Sequence, residues 1–441
     1  MNVNMIDKKV ASFTLGCKVN QYDTEAVIET FKNKGYKIVN FEEVADIYIV
    51  NTCTVTGLSD KKCRQMLRRT KKINPNSTLV AMGCYVQSMQ DKLKKEIDEI
   101  DIIVGTNNRL NIINLVEQFD QHRDFEFNIE DIMEVTAFEE LKINTMNEHT
   151  RVYLKIQEGC NNYCSYCIIP YVRGKIRSRH QDNILEETKR LVARGFKEIV
   201  LTGIHLASYG KDLSNISLNT LLFELNNIEG LKRIRLGSIE PIIITDEFIS
   251  TLKNSPKVCD HFHLSLQSGS NSVLKRMHRK YTTKEYLECV NKLREIYPNV
   301  AITTDIIVGF PGETEQEFIE TLNFVKEVGF AKIHVFPFSA REGTLAFKMT
   351  DQIAPNIKNE RVNILSNLEK TLRIQYLKSF INKDLDVLIE KLHDNENNYV
   401  GYTTNYIKVQ IRSSNDLVEG NIYNVNITNI DEDILLGNIK E

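Results

Sequence analysis

Short apolar runs separated by amphipathic stretches set the rhythm of the first 120 residues. Val10–Leu15, Asp46–Val50 and Leu79–Met82 are strand-like, and a further apolar run covers Ile102–Val104. Helical periodicity follows them, for example over Asp60–Lys72 and Val86–Ile97. Such alternation predicts a parallel α/β sheet over residues 7–120. Residues 121–145 are charged and weakly periodic and read as a linker. A longer series occupies 146–376, with six strand-like runs: VYLKIQ (152–157), EIVLTG (198–203), RIRLGS (233–238), FHLSLQ (262–267), AITTDIIVGF (301–310) and KIHVFPF (332–338). Helical segments such as Ile184–Arg194 and Thr283–Ile296 lie between them. Repeated βα units of this spacing predict a barrel or part of one. Six units make an incomplete barrel, with its chemistry at the carboxyl ends of the strands. After Leu377 the runs shorten and alternate between Asn, Asp and Gly turns, which predicts a small β-barrel or β-sandwich over 379–441.

Composition narrows the class. Of 441 residues, 42% are hydrophobic and 26% charged, enough for several cores. No run is apolar enough to span a bilayer. The N-terminal stretch MNVNMIDKKVASFTLGC lacks the long apolar region of a signal peptide, and the expectation is a cytoplasmic protein without membrane contact. The net charge of −3 excludes a general polycation, so a nucleic-acid surface has to come from local basic patches.

The nine cysteines change the picture most. In a reducing compartment they point to metal or redox chemistry rather than a disulfide framework. Cys160, Cys164 and Cys167 form C-x-x-x-C-x-x-C directly after the first strand of the middle unit. A closed zinc site takes four protein ligands. Three thiolates fit a four-iron cluster with one iron left open. Zinc with a fourth ligand elsewhere, such as His180, is the competing reading. In the first unit the strands end in TLGC, IVNTC and VAMGC, which puts Cys17, Cys53 and Cys84 just past three carboxyl ends. Ligands of open α/β sheets gather at that edge, so these three predict a second cluster, although buried structural cysteines are also common. Cys63, Cys259 and Cys289 read as non-ligands.

CNNYCSYCIIPYVRG resembles the cluster loop of radical S-adenosylmethionine (SAM) enzymes, including the aromatic Tyr166 before the third cysteine. The resemblance implies that SAM chelates the open iron and is cleaved to a 5′-deoxyadenosyl radical. It also implies that Tyr166, Gly203, Ser238, Glu240, Ser265 and Gln267 bind this cofactor, all but Tyr166 at strand ends. FTLGCKVNQYDTEAV (13–27), NTCTVT (51–56), AMGCYVQ (81–87), RSRH (177–180) and LSLQSGSNSVLKRMHRKYT (264–282) extend the likeness to the methylthiotransferases. TDIIVGFPGETEQEF (304–318) matches too, and the C-terminal unit resembles TRAM, an RNA-binding barrel. The family implies an α/β fold of three parts: a parallel N-terminal domain, a partial (β/α)6 radical SAM core and a small β-barrel. It implies two [4Fe-4S] clusters, one on Cys160, Cys164 and Cys167 and a sulfur carrier on Cys17, Cys53 and Cys84. GCKVNQYDTE is the form associated with enzymes that act on N6-threonylcarbamoyladenosine at position 37, in the tRNA anticodon loop. An electron donor such as flavodoxin or ferredoxin and a sulfur source follow as partners.

KKCRQMLRRTKK (61–72), RGKIRSR (173–179) and KRMHRK (275–280) are candidate phosphate contacts, with solvated faces as the plain alternative. Tyr402 and Tyr406 are either base-stacking or core residues. Two rivals remain open: a sister enzyme acting on isopentenyladenosine or a ribosomal-protein aspartate, and a zinc-stabilised RNA-binding protein without catalysis.

Overall fold

The computed structural model describes residues 7–143, 150–392, 398–413 and 415–440. Strands β1 (Lys9–Thr14), β2 (Lys37–Val39), β3 (Ile47–Thr52), β4 (Thr78–Gly83), β5 (Ile102–Val104) and β6 (Glu126–Asn128) form one parallel sheet in the order β2-β1-β3-β4-β5-β6. Every residue of β3 and β4 is buried, as their unbroken apolar character requires of strands covered on both faces. Val27 and Phe31 of the helix Lys18–Asn33 pack with Val116 on one face. Leu67 of the helix Gly57–Ile73 packs on the other.

Two local expectations change. The helical run Val86–Ile97 is two short helices, Cys84–Met89 and Asp91–Glu96, broken at Gln90 with φ 51°. The expected linker contributes β6, paired to β5 through Ile102 and Glu126. It then buries Leu141 and Ile143 completely in the core of the next unit, where the Tyr22 hydroxyl donates to the Leu141 carbonyl at 2.7 Å. Its apolar residues are too sparse to show periodicity, yet they pin the strap.

The middle unit contains β7 (Arg151–Glu158), β8 (Arg177–Ser178), β9 (Glu198–Gly203), β10 (Arg233–Leu236), β11 (His261–His263), β12 (Ala301–Val308) and β13 (Lys332–Pro337). They run β8-β7-β9-β10 and β11-β12-β13, and single parallel bridges, Ile234 to Val258 and Ile239 to Leu264, join the two sets. The result is an arc of six parallel strands, with the two-residue β8 an unanticipated antiparallel addition to β7. Of the run FHLSLQ only Phe262 and His263 fall in β11, and Gln267, at φ 75°, bends its end. Capping boxes at Thr282/Glu285 and Thr314/Glu317 start the helices Thr283–Ile296 and Glu315–Val328.

β14 (Asp384–Leu392), β15 (Asn398–Thr403), β16 (Lys408–Arg412), β17 (Ile422–Asp431) and β18 (Ile434–Ile439) close into a barrel, β14-β15-β16-β18-β17. Closure removes exposed edges and resolves the barrel-or-sandwich alternative. Arg233 and Arg235 of β10 dock it by donating to the carbonyls of Asp386 and Thr404, each at 2.7 Å. Among the described residues no helix is long and apolar enough to cross a membrane.

Candidate active site

Strands β1, β3 and β4 are neighbours, and each delivers a cysteine just beyond its carboxyl end. Cys17 caps the helix Lys18–Asn33, Cys53 follows β3, and Cys84 opens the helix after β4. Gly83, at φ 101°, permits the turn: a Cβ there would stand 2.4 Å from Asn51 Oδ1 and 2.7 Å from the Thr52 carbonyl. Cys17 is exposed, while Cys53 and Cys84 are buried. Cys63, read as a non-ligand, braces the site. Its Sγ accepts from the Cys53 N–H and donates to the Cys53 carbonyl, both at 3.3 Å.

The second triad occupies the loop after β7. Gly159, at φ 73°, lets the chain pass within a Cβ's reach of Lys175, whose carbonyl would lie 1.8 Å from such an atom. This close crossing lets Cys160 N–H donate to the Gly174 carbonyl at 3.0 Å, while Cys167 N–H donates to Cys164 O at 2.9 Å. The two triads are adjacent: Cys84 packs with Ile168, directly after Cys167, and with Val172 of the short helix Ile169–Arg173. His180, the fourth ligand considered for zinc, is exposed and faces Asp182 at 3.5 Å.

An arginine is aimed at one sulfur of each triad. Arg173 Nε donates to Cys84 Sγ at 3.1 Å, and Arg279 Nη1 donates to Cys164 Sγ at 3.2 Å. Arg173 belongs to a buried charge cluster. With Arg109 and Lys155 it surrounds Asp23 and Glu158, and Arg109 also reaches Glu139 at 2.8 Å. Burial pushes the thiols of Cys84 and Cys160 up to about 11 and that of Cys167 to about 12. Ligation therefore has to displace protons. Three thiols per site, each set facing a guanidinium, suit an anionic thiolate-bound iron–sulfur group, so the donor chemistry fits the expected clusters.

A cavity of about 800 Å³ opens between the sheet edge and the barrel interior, lined among others by Cys17, Lys18, Gly203, Ser238, His263 and Asp305. Gly203 and Ser238, both expected at the cofactor, thus share one space with a cysteine of the first triad. Burial, then Arg151 and Arg235, lower the Lys18 ammonium to about 8. Glu240 lies in a polar knot: Arg279 at 2.8 Å, His205 Nε2 at 3.1 Å and Asn162 Nδ2 at 3.0 Å. Ser265 is engaged through its carbonyl, which accepts from Tyr281 and Arg279. Gln267 pairs through its backbone with Asp305 at 2.9 Å. Tyr166 packs with Val273, Met277 and Phe310.

Burial raises Glu240, but the His205 and Arg279 partners outweigh it and bring the carboxyl down from 4.5 to about 2. A carboxylate depressed on folding contributes stability that is full above its unfolded value and is lost as pH falls towards the folded one. Glu240→Gln, which leaves Arg279 without its counter-charge, should cost roughly 3–5 kcal/mol at neutral pH. Denaturant titrations of the cluster-free protein should show that gap narrowing between about pH 4.5 and 2. A pH-independent gap contradicts the assignment.

Sequence reading missed Arg173, Arg279 and Asn162, and set His205, a histidine at a strand end, aside as structural. The two arginines were visible only as members of basic runs, and those runs need correction. Arg173, Arg177 and Arg179 are almost fully buried, and Arg179 pairs with Glu140 at 2.8 Å and Glu187 at 2.6 Å. Arg276 is bound to Glu317 at 2.8 Å. Carboxylates supplied by other segments make that burial tolerable, leaving Lys175, Lys275 and Lys280 exposed. In the helix Gly57–Ile73, Lys61, Lys62, Arg68 and Lys72 are exposed, while Lys71 binds Asp101 at 2.8 Å. Tyr402 and Tyr406 are half-buried against Arg151, at 4.7 and 4.8 Å, rather than free platforms.

Comparison with known proteins agrees with this architecture. A model of the radical SAM superfamily matches residues 154–325, and one described as Uncharacterized protein family UPF0004 matches 9–105. Threonylcarbamoyladenosine tRNA methylthiotransferase MtaB of Bacillus subtilis is 46% identical over 422 residues, covering 95% of this chain and 93% of the relative. Its namesake in Aquifex aeolicus is 40% identical, covering 91% of this chain and 96% of the relative. tRNA-2-methylthio-N(6)-dimethylallyladenosine synthase of Thermoanaerobacter sp. (strain X514) is 38% identical, over 94% of this chain and 89% of the relative. Among solved structures, the radical SAM methyltransferase TsrM of Kitasatospora setae superposes with TM-score 0.55 at 14% identity, covering 75% of each chain. That likeness concerns the fold alone.

Proposed function

We infer that this chain, which belongs to the radical SAM methylthiotransferase family, replaces the hydrogen at C2 of N6-threonylcarbamoyladenosine with a methylthio group at position 37 of tRNA. The observation that carries the reading is the neighbouring placement of the two cysteine triads, with Cys84 packed against Ile168 and Val172 and Cys17 sharing a cavity with Gly203 and Ser238, because sulfur insertion needs a sulfur carrier and a radical source to reach one carbon. In this reading Cys160, Cys164 and Cys167 hold one [4Fe-4S] cluster and Cys17, Cys53 and Cys84 the other. Tyr166, Gly203, Ser238, Glu240, Ser265 and Gln267 form the surroundings of SAM. Bound cluster and SAM together supply the one-electron chemistry that an unactivated C–H bond demands and that acid–base side chains cannot. The protein's own groups orient and shield: Arg279 bridges Cys164 to Glu240, and the buried strap at Leu141 ties the first sheet to the barrel.

The anticodon loop presents an unpaired adenosine, which costs less to swing into a cavity than a base in a duplex. Lys61, Lys62, Lys175 and Lys280 are the exposed cations placed to meet its phosphates. A low-potential donor such as flavodoxin or ferredoxin and a sulfur source complete the partners. Residues 7–120 act as the sulfur-carrying domain, 146–376 as the radical core and 379–441 as the RNA-binding barrel. Deleting the gene and analysing bulk tRNA nucleosides by mass spectrometry should remove the methylthio-threonylcarbamoyl nucleoside and leave its unthiolated precursor. Persistence of the methylthio form refutes the assignment.

A further inference from the structure

The molecule contains several buried cations, and nearly all have an answering carboxylate. In the wall of the central cavity Arg373 meets Asp433 at 2.8 Å. Behind the wall Arg151 meets Glu390 at 2.8 Å and Arg235 meets Glu198 at 2.8 Å. Lys18 is different. Its Nζ lies 5.8 Å from the ring centre of Tyr153 and 5.9 Å from that of Tyr406, both of them cavity residues. Among the described residues no carboxylate forms an ion pair with it. An ammonium held between aromatic faces in a confined space, without an anion of its own, is a receptor for one.

Its position states which anion. Lys18 directly follows Cys17, the exposed cysteine of the first triad and one that lines the same cavity. In adenine, C2 and C6 flank N1, so C2 and a substituent on N6 lie along the same edge of the base. A base whose C2 faces the Cys17 edge therefore brings its N6 arm to the residues beside Cys17. The relatives named above divide by that arm: a threonylcarbamoyl group ends in a carboxylate, whereas a dimethylallyl group is neutral and apolar. A cation in the wall favours the first and rejects the second, which would leave the ammonium buried and unpaired.

Building on the reading under Proposed function, we propose that Lys18 determines substrate specificity by binding the carboxylate of the N6 side arm, with Tyr153 and Tyr406 holding the ammonium in place. The arm's negative charge, rather than its size, is what the enzyme reads.

The experiment compares two tRNA substrates with the reconstituted full-length enzyme. One carries threonylcarbamoyladenosine, and the other its carboxamide analogue, equal in size and uncharged. Wild type should methylthiolate the carboxylate form with kcat/KM roughly 10- to 100-fold higher, the range for one hydrogen bond to a charged group. Lys18→Met should lose that preference, bringing the ratio to within about threefold of one, and Lys18→Arg should keep most of it. Iron content is measured for each variant to establish that both clusters are loaded. Should Lys18 instead contact a tRNA phosphate or the carboxylate of SAM, Lys18→Met lowers both substrates equally and the wild-type ratio persists. That result overturns the proposal, as does a wild type that does not distinguish the two tRNAs. A wild type inactive on either tRNA overturns the functional reading itself, so the two failures are separable.

Discussion

Cys164→Ala abolishes SAM cleavage. The expected loss exceeds the roughly 10- to 100-fold that removal of an outer partner of a metal ligand costs, because here a ligand itself disappears. Three thiolates leave one iron open, and two do not hold the cluster in place. The loop offers no replacement. In the proposed reading Cys160 and Cys167 are the other two ligands, and the donor facing Cys164 is the Arg279 guanidinium, which cannot ligate a metal. The same change leaves Arg279 with Glu240 as its remaining charge partner, so the knot around Glu240 should persist. Chromatography of 5′-deoxyadenosine formed under dithionite gives the rate, and iron per chain should fall by about half, one cluster of two. A variant that still cleaves SAM at a tenth of the wild-type rate removes Cys164 from the cluster.

Cys53→Ala separates the two chemistries. SAM cleavage should continue within about twofold of wild type, while methylthio product falls by two orders of magnitude or more, again beyond the outer-partner range of roughly 10- to 100-fold. The reason is topological. Cys53 ends β3 in the first sheet, whereas the loop of Cys160 ends β7 in the barrel. The units meet through Asp23 with Lys155 and Arg173, through Arg341 with Asp60, and through the Cys84 contact. Cys63 deserves a control, since its sulfur is bonded to the Cys53 backbone and a small shift would make it a substitute ligand. The double variant Cys53→Ala/Cys63→Ala should therefore lose any residual product that the single variant retains. Equal damage to SAM cleavage in Cys53→Ala and Cys164→Ala ends the division of labour between the clusters.

How far each feature was legible follows from its range along the chain. The six βα units announce themselves because strand and helix periodicities are local, and the C-terminal barrel because turn residues punctuate it. Cys160, Cys164 and Cys167 are recognisable because one loop carries all three. Cys17, Cys53 and Cys84 needed the further step of placing strand ends on one sheet edge, which the parallel order of β1, β3 and β4 makes true. The strap was illegible: two apolar residues in a charged segment carry no period, and only Tyr22 and the core of the barrel give them a place.

The sequence by itself determined most strands and helices, the cysteine sets and the glycines that let the chain turn beside them, since each depends on residues near in sequence. Tertiary structure alone decided what the charges do. RGKIRSR reads as a basic strip, but Asp23, Glu140, Glu158 and Glu187 arrive from other segments and turn Arg173 and Arg179 into buried supports. Lys18 looks like any lysine at a helix start, and only the fold sets it between Tyr153 and Tyr406. A charge is defined by its partners, and for these residues the partners come from distant parts of the chain.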